Sequence, residues 1–488
     1  MSGAELPAGA LTSPDLAPTP PERRTWNLWH IASLWVGMSV CIPSYMLAAG
    51  MIQAGLGWRM ALLAVLLGNA IVWVPLVVNA HAGTRYGIPF PVYARASFGT
   101  RGAHVPAVLR AVVACGWFGI QTWVGGMAID VILATLWPGW AGLGGGWTWM
   151  GHGLPRYLAF LLFWAMNLWF VWKGTEGIRW LETLAAPLLI AAGLALLGWA
   201  VDASGGWSRM LGGADALSGG GGLGSGFAAG LFLPWVTAMV GYWATLSLNI
   251  SDFTRYARSQ RDQTVGQALG LLTTMPLFAF IGIAVTSATV LVYGEAIWNP
   301  VELVARLTRE GGSAWLGIVS MVVIAVATLT TNIAANIVSP AFTLANLAPR
   351  RIGFRAGGVI AAVVGLLILP WKLLELYQGW LLTYGGLLGA VGGVILCDYA
   401  LVRRGRLDVR GLYDEHGPYR YRDGVNPRAL AALAAGVLVA LLGLAAPGLR
   451  FLFDGAWFSA TLVSLAVYYA LMRPSAAAET RAAAAVPG

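Results

Sequence analysis

The chain has 488 residues, of which 58% are hydrophobic and only 10% are charged, and its mean hydropathy is +0.70. A soluble globular protein has about 25% charged residues, so this composition excludes a soluble multidomain protein. The net charge of +9 does not indicate a nucleic-acid partner, because the cytoplasmic loops of membrane proteins collect Arg and Lys. The composition therefore predicts an all-α integral membrane protein in contact with the lipid bilayer.

Apolar stretches of about 20 residues, the length that crosses a bilayer as a helix, predict about 12 transmembrane helices. They lie at about 27–53, 58–81, 105–136, 157–172, 181–201, 227–249, 267–293, 313–345, 355–370, 376–401, 429–447 and 453–472. Residues 1–25 are polar and Pro-rich, and residues 473–488 have no evident partner. Both segments are predicted to be disordered cytoplasmic tails.

Basic residues are distributed unequally between the loops on the two sides of the predicted membrane. With the N-terminus in the cytoplasm, 23 of the 30 Lys and Arg residues fall on the cytoplasmic side and the remaining 7 fall outside. Such a bias sets the orientation of a membrane protein. The sequence thus predicts a multi-pass protein of the cell membrane with both termini in the cytoplasm.

Twelve helices with short loops fit a secondary transporter, a channel or a membrane-embedded enzyme. An enzyme needs convergent acid, base or metal-binding groups. Cys41, Cys115 and Cys397 all lie in apolar runs, and the five histidines show no metal-ligand spacing. Asp130 is the only carboxylate well inside a predicted span. The sequence therefore predicts a transporter of an uncharged substrate rather than an enzyme.

The third span contains an indole and an amide on one helix face. Trp117 and Gln121 are four residues apart in CGWFGIQTW, so their side chains lie next to each other on a helix. An indole can stack on a flat ring, and an amide can bind the polar edge of the same ring. Trp is abundant here, with 24 in the chain, but an unpaired amide in hydrocarbon is costly and favours a binding role.

The first and sixth spans carry residues that interrupt helices. Gly37 and Pro43 lie in the first span, and Pro234 and Gly241 lie in the sixth. Broken helices occur beside binding sites in transporters, because backbone groups released from helix bonds are tolerated only next to a cavity. Breaks in helices one and six indicate two inverted five-helix repeats.

The eighth span, AVATLTTNIAANIVSP, places two polar sets on different faces. Ala327, Thr330 and Thr331 cluster on one side of an ideal helix, and Asn332 and Asn336 cluster on roughly the opposite side. The threonine hydroxyls could bind a cation or bond to their own preceding turn. The two buried amides favour a polar ligand.

Five separated segments of this sequence resemble the nucleobase:cation symporter-1 family, whose members carry hydantoins, allantoin, cytosine, uracil and purines. They are WVGMSVCIPSYMLAAG, YGIPFPVYARASFG, CGWFGIQTW, GYWATLSLNISDFTRY and TLTTNIAANIVSP. The resemblance implies a LeuT-like fold. Residues 26–202 would form the first five-helix repeat and residues 203–402 the second. A cytoplasmic loop and helices 11 and 12 would follow in residues 403–472.

The resemblance also assigns a substrate site. It implies that Trp117 and Trp243 sandwich the substrate ring and that Gln121 and Asn336 bind it through their amides. Cys41 stands where several relatives carry an amide. A thiol is a weak hydrogen-bond donor, so the polar contacts at this position differ from those of the relatives.

The resemblance further implies a sodium site. The backbone carbonyls of Gly37, Val40 and Ala327 and the hydroxyls of Thr330 and Thr331 would bind the ion. Hard oxygen ligands of this kind suit an alkali cation. Some relatives use protons, but no buried acid lies near Trp117, which favours sodium.

These observations together predict a sodium-coupled symporter that carries a neutral nitrogenous heterocycle into the cell by alternating access. A proton-coupled nucleobase or vitamin permease is the alternative within transporters. A membrane receptor that senses the same ligand is the alternative from another class. The sequence indicates no nucleic-acid or protein partner.

Overall fold

The structure is a computed structural model and describes residues 11–12, 16–173, 179–217, 230–347 and 352–484. The first half of the described chain forms nine helices and one antiparallel hairpin. They are α1 Leu28–Ser39, α2 Ile42–Gln53, α3 Trp58–Tyr86, α4 Phe90–Tyr93, α5 Arg95–Phe98, α6 His104–Leu136, β1 Thr148–Trp149, β2 His152–Gly153, α7 Leu154–Lys173, α8 Arg179–Ser204 and α9 Trp207–Leu217.

The second half of the described chain continues with helices of the same kind. They are α10 Phe232–Tyr242, α11 Ala244–Asn249, α12 Ser251–Thr254, α13 Gln260–Tyr293, α14 Pro300–Arg309, α15 Ala314–Asn336, α16 Val338–Leu347, α17 Phe354–Leu367, α18 Pro370–Glu375, α19 Tyr377–Leu396, α20 Pro427–Ala445, α21 Arg450–Asp454 and α22 Ala456–Ala484. A π-helical turn, Cys397–Val402, extends α19.

The apolar helices coincide with the predicted spans. Among the described residues, eight helices are long and apolar enough to cross a bilayer, and two bent helix pairs raise the number to ten. The shorter apolar helices α10 and α17 occupy the positions of the sixth and ninth predicted spans. The all-α membrane fold predicted from hydropathy is therefore confirmed.

The first span is broken two residues after α1 ends. The axes of α1 and α2 differ by 56°, and Cys41 between them is extended, with φ −149° and ψ 159°. Gly37 remains helical within α1, so it does not cause the break. Pro43 lies in the first turn of α2, where a missing N–H removes no helix bond.

The sixth span is broken at Trp243, which separates α10 from α11 with φ −95° and ψ 1°. Pro234 lies near the start of α10 and not at the break. Gly241 allows α10 to approach α19, because a Cβ atom there would lie 2.8 Å from the carbonyl oxygen of Leu381. Both predicted interruptions are present, and each lies next to a candidate site residue.

Residues 11–12, 16–25 and 473–484 of the two predicted tails are among the described residues, whereas residues 1–10, 13–15 and 485–488 lie outside them. Arg255 donates to the Thr19 hydroxyl at 2.7 Å, and the Thr19 backbone N–H donates to the Gly87 carbonyl at 2.8 Å. Leu16 is 8% exposed and lies in the hydrophobic core. The segment before α1 therefore packs on the bundle through polar and apolar contacts, and at the other end α22 extends to Ala484.

A buried ion pair lies at the end of α19. Asp398 pairs with Arg403 at 2.8 Å and accepts hydrogen bonds from Tyr468 at 2.8 Å and Ser97 at 3.2 Å. Asp398 is completely buried near the end of its span, whereas the Asp130 side chain is 16% exposed. These partners compensate for the cost of burying the charge and join three helices.

Candidate functional site

A cavity of about 800 Å³ lies between α1, α8 and α15. Its wall follows α1 from the N-cap Asn27 to Val40, just beyond the end of the helix. Trp29 at the start of α1 is 66% exposed, so the cavity opens at that end of the helix. The cavity therefore connects the side of the bundle that carries the N-terminal segment with the break between α1 and α2.

The five residues predicted to bind sodium all line this cavity: Gly37, Val40, Ala327, Thr330 and Thr331. They come from two helices that are far apart in sequence, and the fold brings them to one wall. A Cβ atom added at Gly37 would meet nothing within 4 Å, which shows that the backbone there faces open space.

The break in the first span leaves backbone acceptors without donors. The N–H of Cys41 donates to the carbonyl of Ser39 at 3.1 Å rather than to that of Gly37. Pro43 has no N–H, and the N–H of Ser44 donates to Cys41. Among the described residues, no backbone N–H beyond α1 donates to the carbonyl oxygens of Gly37 or Val40. Two carbonyls at this break are thus available to a ligand.

The hydroxyl of Thr330 donates to the carbonyl of Ala327 at 3.0 Å. This is the bond to the preceding turn that the sequence left open as the alternative to cation binding. A hydroxyl oxygen keeps its lone pairs when it donates, so the bond does not prevent the same oxygen from binding a cation. The part of the chain that the structure describes contains no cluster of three or more His, Cys, Asp or Glu side chains that could hold a metal ion.

Trp117 lies on α6 and is 5% exposed. Its indole N–H donates to the hydroxyl of Tyr384 at 3.1 Å. The rings of Tyr242, Tyr377 and Trp380 surround it edge-on, with centroids 5.1, 6.0 and 4.9 Å away. The indole is therefore fixed in orientation before any ligand binds.

Trp243 lies at the break between α10 and α11, and its indole N–H donates to Asn69 Oδ1 at 2.9 Å. The phenol ring of Tyr242 contacts both predicted stacking residues. Its centroid is 5.1 Å from that of Trp117 and 4.8 Å from that of Trp243. Sequence reasoning missed Tyr242, although its position directly before Trp243 in the broken span was a signal for it.

Cys41 lies next to this ring cluster. Its sulfur is 3.2 Å from the Ser44 hydroxyl and 3.3 Å from the Tyr242 hydroxyl, and these two hydroxyls are 3.0 Å apart. The polar groups that accompany the thiol thus come from Ser44 and Tyr242, neither of which was predicted. Ser44 follows Pro43 in the first turn of α2, which places its hydroxyl at the break.

The two predicted amides differ in their environment. Gln121 is 4% exposed, and its Oε1 is buried without a hydrogen-bond partner in the described chain. Asn336 at the end of α15 donates from Nδ2 to Asn332 Oδ1 at 3.0 Å. A buried amide without a partner costs about 1–3 kcal/mol, so Gln121 is an expected point of ligand contact.

The opposite side of the bundle is closed by aromatic rings. Trp371 of α18 is 4% exposed and lies among Trp123, Tyr157 and Trp149, with centroids 5.1, 5.2 and 5.5 Å away. Its N–H points to the sulfur of Met150 at 3.4 Å. The hairpin before α7 therefore packs on α18, while the cavity is open at the other side.

Comparisons with known proteins show the family to which this chain belongs. A family model for permeases of cytosine/purines, uracil, thiamine and allantoin matches residues 18–460. The chain belongs to this family, the nucleobase:cation symporter-1 family. The predicted membership is confirmed, and the protein is a multi-pass membrane permease and not an enzyme.

This permease is similar in sequence to two named permeases along almost its whole length. It is 40% identical to the allantoin permease of Bacillus subtilis over 476 residues, which covers 97% of this chain and 95% of that protein. It is 41% identical to a purine-uracil permease of Arabidopsis thaliana, with 95% of this chain and 78% of that protein covered. The similarity extends along almost the whole chain.

Solved structures confirm the LeuT-like fold of this permease. The inward-facing conformation of Mhp1 superposes with a TM-score of 0.77 at 28% identity, covering 96% of each chain. The closed conformation of Mhp1 with bromovinylhydantoin bound gives a TM-score of 0.75 at 29% identity, covering 95% of this chain and 96% of that one. MhsT in complex with L-phenylalanine shares the fold alone, with a TM-score of 0.56 at 13% identity.

Proposed function

We propose that this permease imports a neutral nitrogenous heterocycle of the nucleobase, hydantoin or allantoin type together with sodium. The ring would stack on Trp117 and Trp243, and its polar edge would contact Gln121 and Asn336. Cys41 would lie beside the ring with the hydroxyls of its neighbours. The names of the relatives and the uncharged lining of this region support such a substrate.

The observation that carries the sodium proposal is that the five residues with the predicted oxygen ligands line one cavity. The carbonyls of Gly37 and Val40 lack backbone donors among the described residues, and Ala327, Thr330 and Thr331 line the same cavity from α15. An alkali cation suits uncharged oxygen ligands. Because the ligands come from α1 and α15, the ion would hold these two helices together and favour the state that binds substrate.

The test is uptake of radiolabelled allantoin, hydantoin or uracil into proteoliposomes under an inward sodium gradient. We expect uptake to fall about tenfold when choline replaces sodium. Replacing Trp117 by Ala should abolish both binding and uptake, since the substrate ring loses the indole on which it stacks. Binding that survives this replacement would contradict the stacking role.

A matched pair of variants tests the ion site itself. Thr331→Val removes a hydroxyl from the cavity wall and should raise the sodium concentration for half-maximal uptake about tenfold, which corresponds to about 1.4 kcal/mol. Thr328→Val on the same helix removes a buried hydroxyl that does not line the cavity. This variant should leave the sodium concentration for half-maximal uptake unchanged.

Two outcomes would favour the alternatives. Uptake that ignores sodium but stops when the pH gradient collapses would indicate a proton-coupled permease. Ligand binding without accumulation in proteoliposomes would indicate a membrane receptor.

We also propose that both termini lie in the cytoplasm, because basic residues are concentrated in the loops on the same side as the termini.

A further inference from the structure

Asn332 is the centre of a buried hydrogen-bond chain between α6, α7 and α15. It is completely buried, and its Nδ2 lies 3.2 Å from the carbonyl oxygen of Phe118. The same nitrogen lies 3.1 Å from Thr122 Oγ1 and 3.2 Å from Asn167 Oδ1. Three acceptors therefore surround one end of a single amide.

The orientation of the Asn332 amide follows from groups that can bond in one way only. The carbonyl of Phe118 can only accept a hydrogen bond. Thr122 gives its own hydrogen to that carbonyl at 2.7 Å, so its oxygen accepts from Asn332. Asn167 donates from Nδ2 to the carbonyl of Phe163 at 2.8 Å, which turns its Oδ1 toward Asn332. Each neighbour thus requires the NH2 group of Asn332 at this end.

The same chain fixes the next amide on α15. Asn332 Oδ1 can only accept, and it receives the Nδ2 of Asn336 at 3.0 Å. Turning the Asn336 amide around would place two carbonyl oxygens against each other. Asn336 Oδ1 has no hydrogen-bond partner among the described residues. Asn336 is therefore held with an acceptor oxygen that no described residue occupies.

Asn332 contacts α6 at Phe118 and Thr122, which follow Trp117 by one and five residues. Asn336 follows Asn332 by one helical turn, about 5.4 Å along α15. Asn336 therefore lies within about one turn of the part of α6 that begins at Trp117.

A second, independent feature indicates a ligand in this region. Gln121 lies one turn after Trp117 on α6 and is 4% exposed, and its Oε1 has no partner in the described chain. Two amides near one indole are thus left with a free oxygen each. A ligand that satisfies both oxygens must bring hydrogen-bond donors.

We propose that Asn332 is a positioning residue that makes Asn336 a hydrogen-bond acceptor toward the substrate, so that the site selects rings with an N–H group at that point. The preferred class is cyclic amides, ureas and imides, over rings of the same shape that carry an oxygen or an alkylated nitrogen there. This inference rests on the proposed function, which places Asn336 against the substrate.

The test compares binding of hydantoin with two analogues by titration calorimetry. Oxazolidine-2,4-dione replaces one ring N–H of hydantoin by oxygen, and 3-methylhydantoin caps the other N–H. For the wild-type protein we expect at least one analogue to bind about tenfold more weakly or worse, because an acceptor is left without its donor. Uracil and its two N-methyl derivatives form a second series with the same expectation.

The variant Asn332→Leu removes every hydrogen bond of the Asn332 amide and keeps the branched shape of the side chain. We expect this variant to bind hydantoin more weakly. The decisive expectation is that its preference for hydantoin over the weaker-binding analogue falls to about threefold or less, because the freed Asn336 amide can turn and offer its NH2 group. The control Thr328→Val removes a buried hydroxyl of α15 that has no hydrogen-bond partner and should keep the wild-type preference.

Two results would overturn the inference. One is a wild-type protein that binds hydantoin and both analogues equally well. The other is an Asn332→Leu variant that loses the same factor for all three ligands, as a merely structural residue would. A wild-type protein that binds none of hydantoin, uracil and allantoin would instead contradict the proposed function, and this is measured before any variant is made.

Discussion

Each indole predicted to contact the substrate is held by a side chain from another helix. Trp117 donates to Tyr384 of α19, and Trp243 donates to Asn69 of α3. Asn69 is oriented in turn, because its Nδ2 donates to the carbonyl of Val65 at 2.8 Å. The indole N–H groups are therefore used within the protein, so a ligand would have to contact these residues through their rings.

Two tyrosines of α19 provide a matched test of this arrangement. Tyr384→Phe leaves the N–H of Trp117 buried without an acceptor, which should cost about 1–3 kcal/mol and lower the affinity for substrate. Tyr377 also packs edge-on against Trp117, but its hydroxyl donates to the carbonyl of Pro43. Tyr377→Phe should thus reduce stability with a smaller effect on affinity.

The melting temperature and the ligand dissociation constant of both purified variants check this prediction. A Tyr377→Phe variant that loses as much affinity as Tyr384→Phe would show that general packing of α19, and not the Trp117 hydrogen bond, controls the site.

Close packing of helices depends on glycines at chosen positions. A Cβ atom at Gly393 of α19 would collide with the hydroxyl of Ser464 and the carbonyl of Thr461 on α22. A Cβ atom at Gly379 of the same helix would meet nothing within 4 Å. Without a water-driven hydrophobic force between membrane helices, small residues that permit backbone contact decide which helix faces pack.

The two glycines predict opposite effects of the same substitution. Gly393→Ala should destabilise the protein by about 1–3 kcal/mol through overpacking. Gly379→Ala should be neutral or stabilise it by up to about 1 kcal/mol, because Ala favours helix. Thermal unfolding in detergent compares the two variants, and a stable Gly393→Ala protein would contradict the close contact of α19 with α22.

The molecule as a whole is open on one side of the bundle and closed on the other. The cavity begins beside Asn27 and ends near the break after α1, while Trp371 and its aromatic neighbours seal the opposite side. Access from one side at a time is what alternating transport requires.

Labelling with a membrane-impermeant maleimide tests the opening and the orientation together. Ser33→Cys lines the cavity and should react only in inside-out vesicles. Ser313→Cys, at the exposed N-cap of α15, should react only in intact cells. The native thiols of Cys41, Cys115 and Cys397 are buried and give little background. Labelling of Ser33→Cys in intact cells would contradict the proposed orientation and indicate the opposite one.

Hydropathy by itself determined the membrane class and the positions of the apolar helices, because the cost of exposing backbone and polar groups to lipid acts on each segment separately. Local chemistry likewise indicated the breaks near Pro43 and Gly241, and the motifs indicated Trp117, Gln121 and Asn336. The spacing of residues within a single helix is sufficient for inferences of this kind.

Only the tertiary structure decided how residues on different helices meet. Tyr242 lies against both indoles, and Asn332 draws on α6 and α7 to orient Asn336. Thr19 of the N-terminal segment is bound by Arg255, which lies more than 200 residues later in the chain. These contacts depend on helix packing and on hydrogen bonds between distant segments. They cannot be inferred from the periodicity of any single segment.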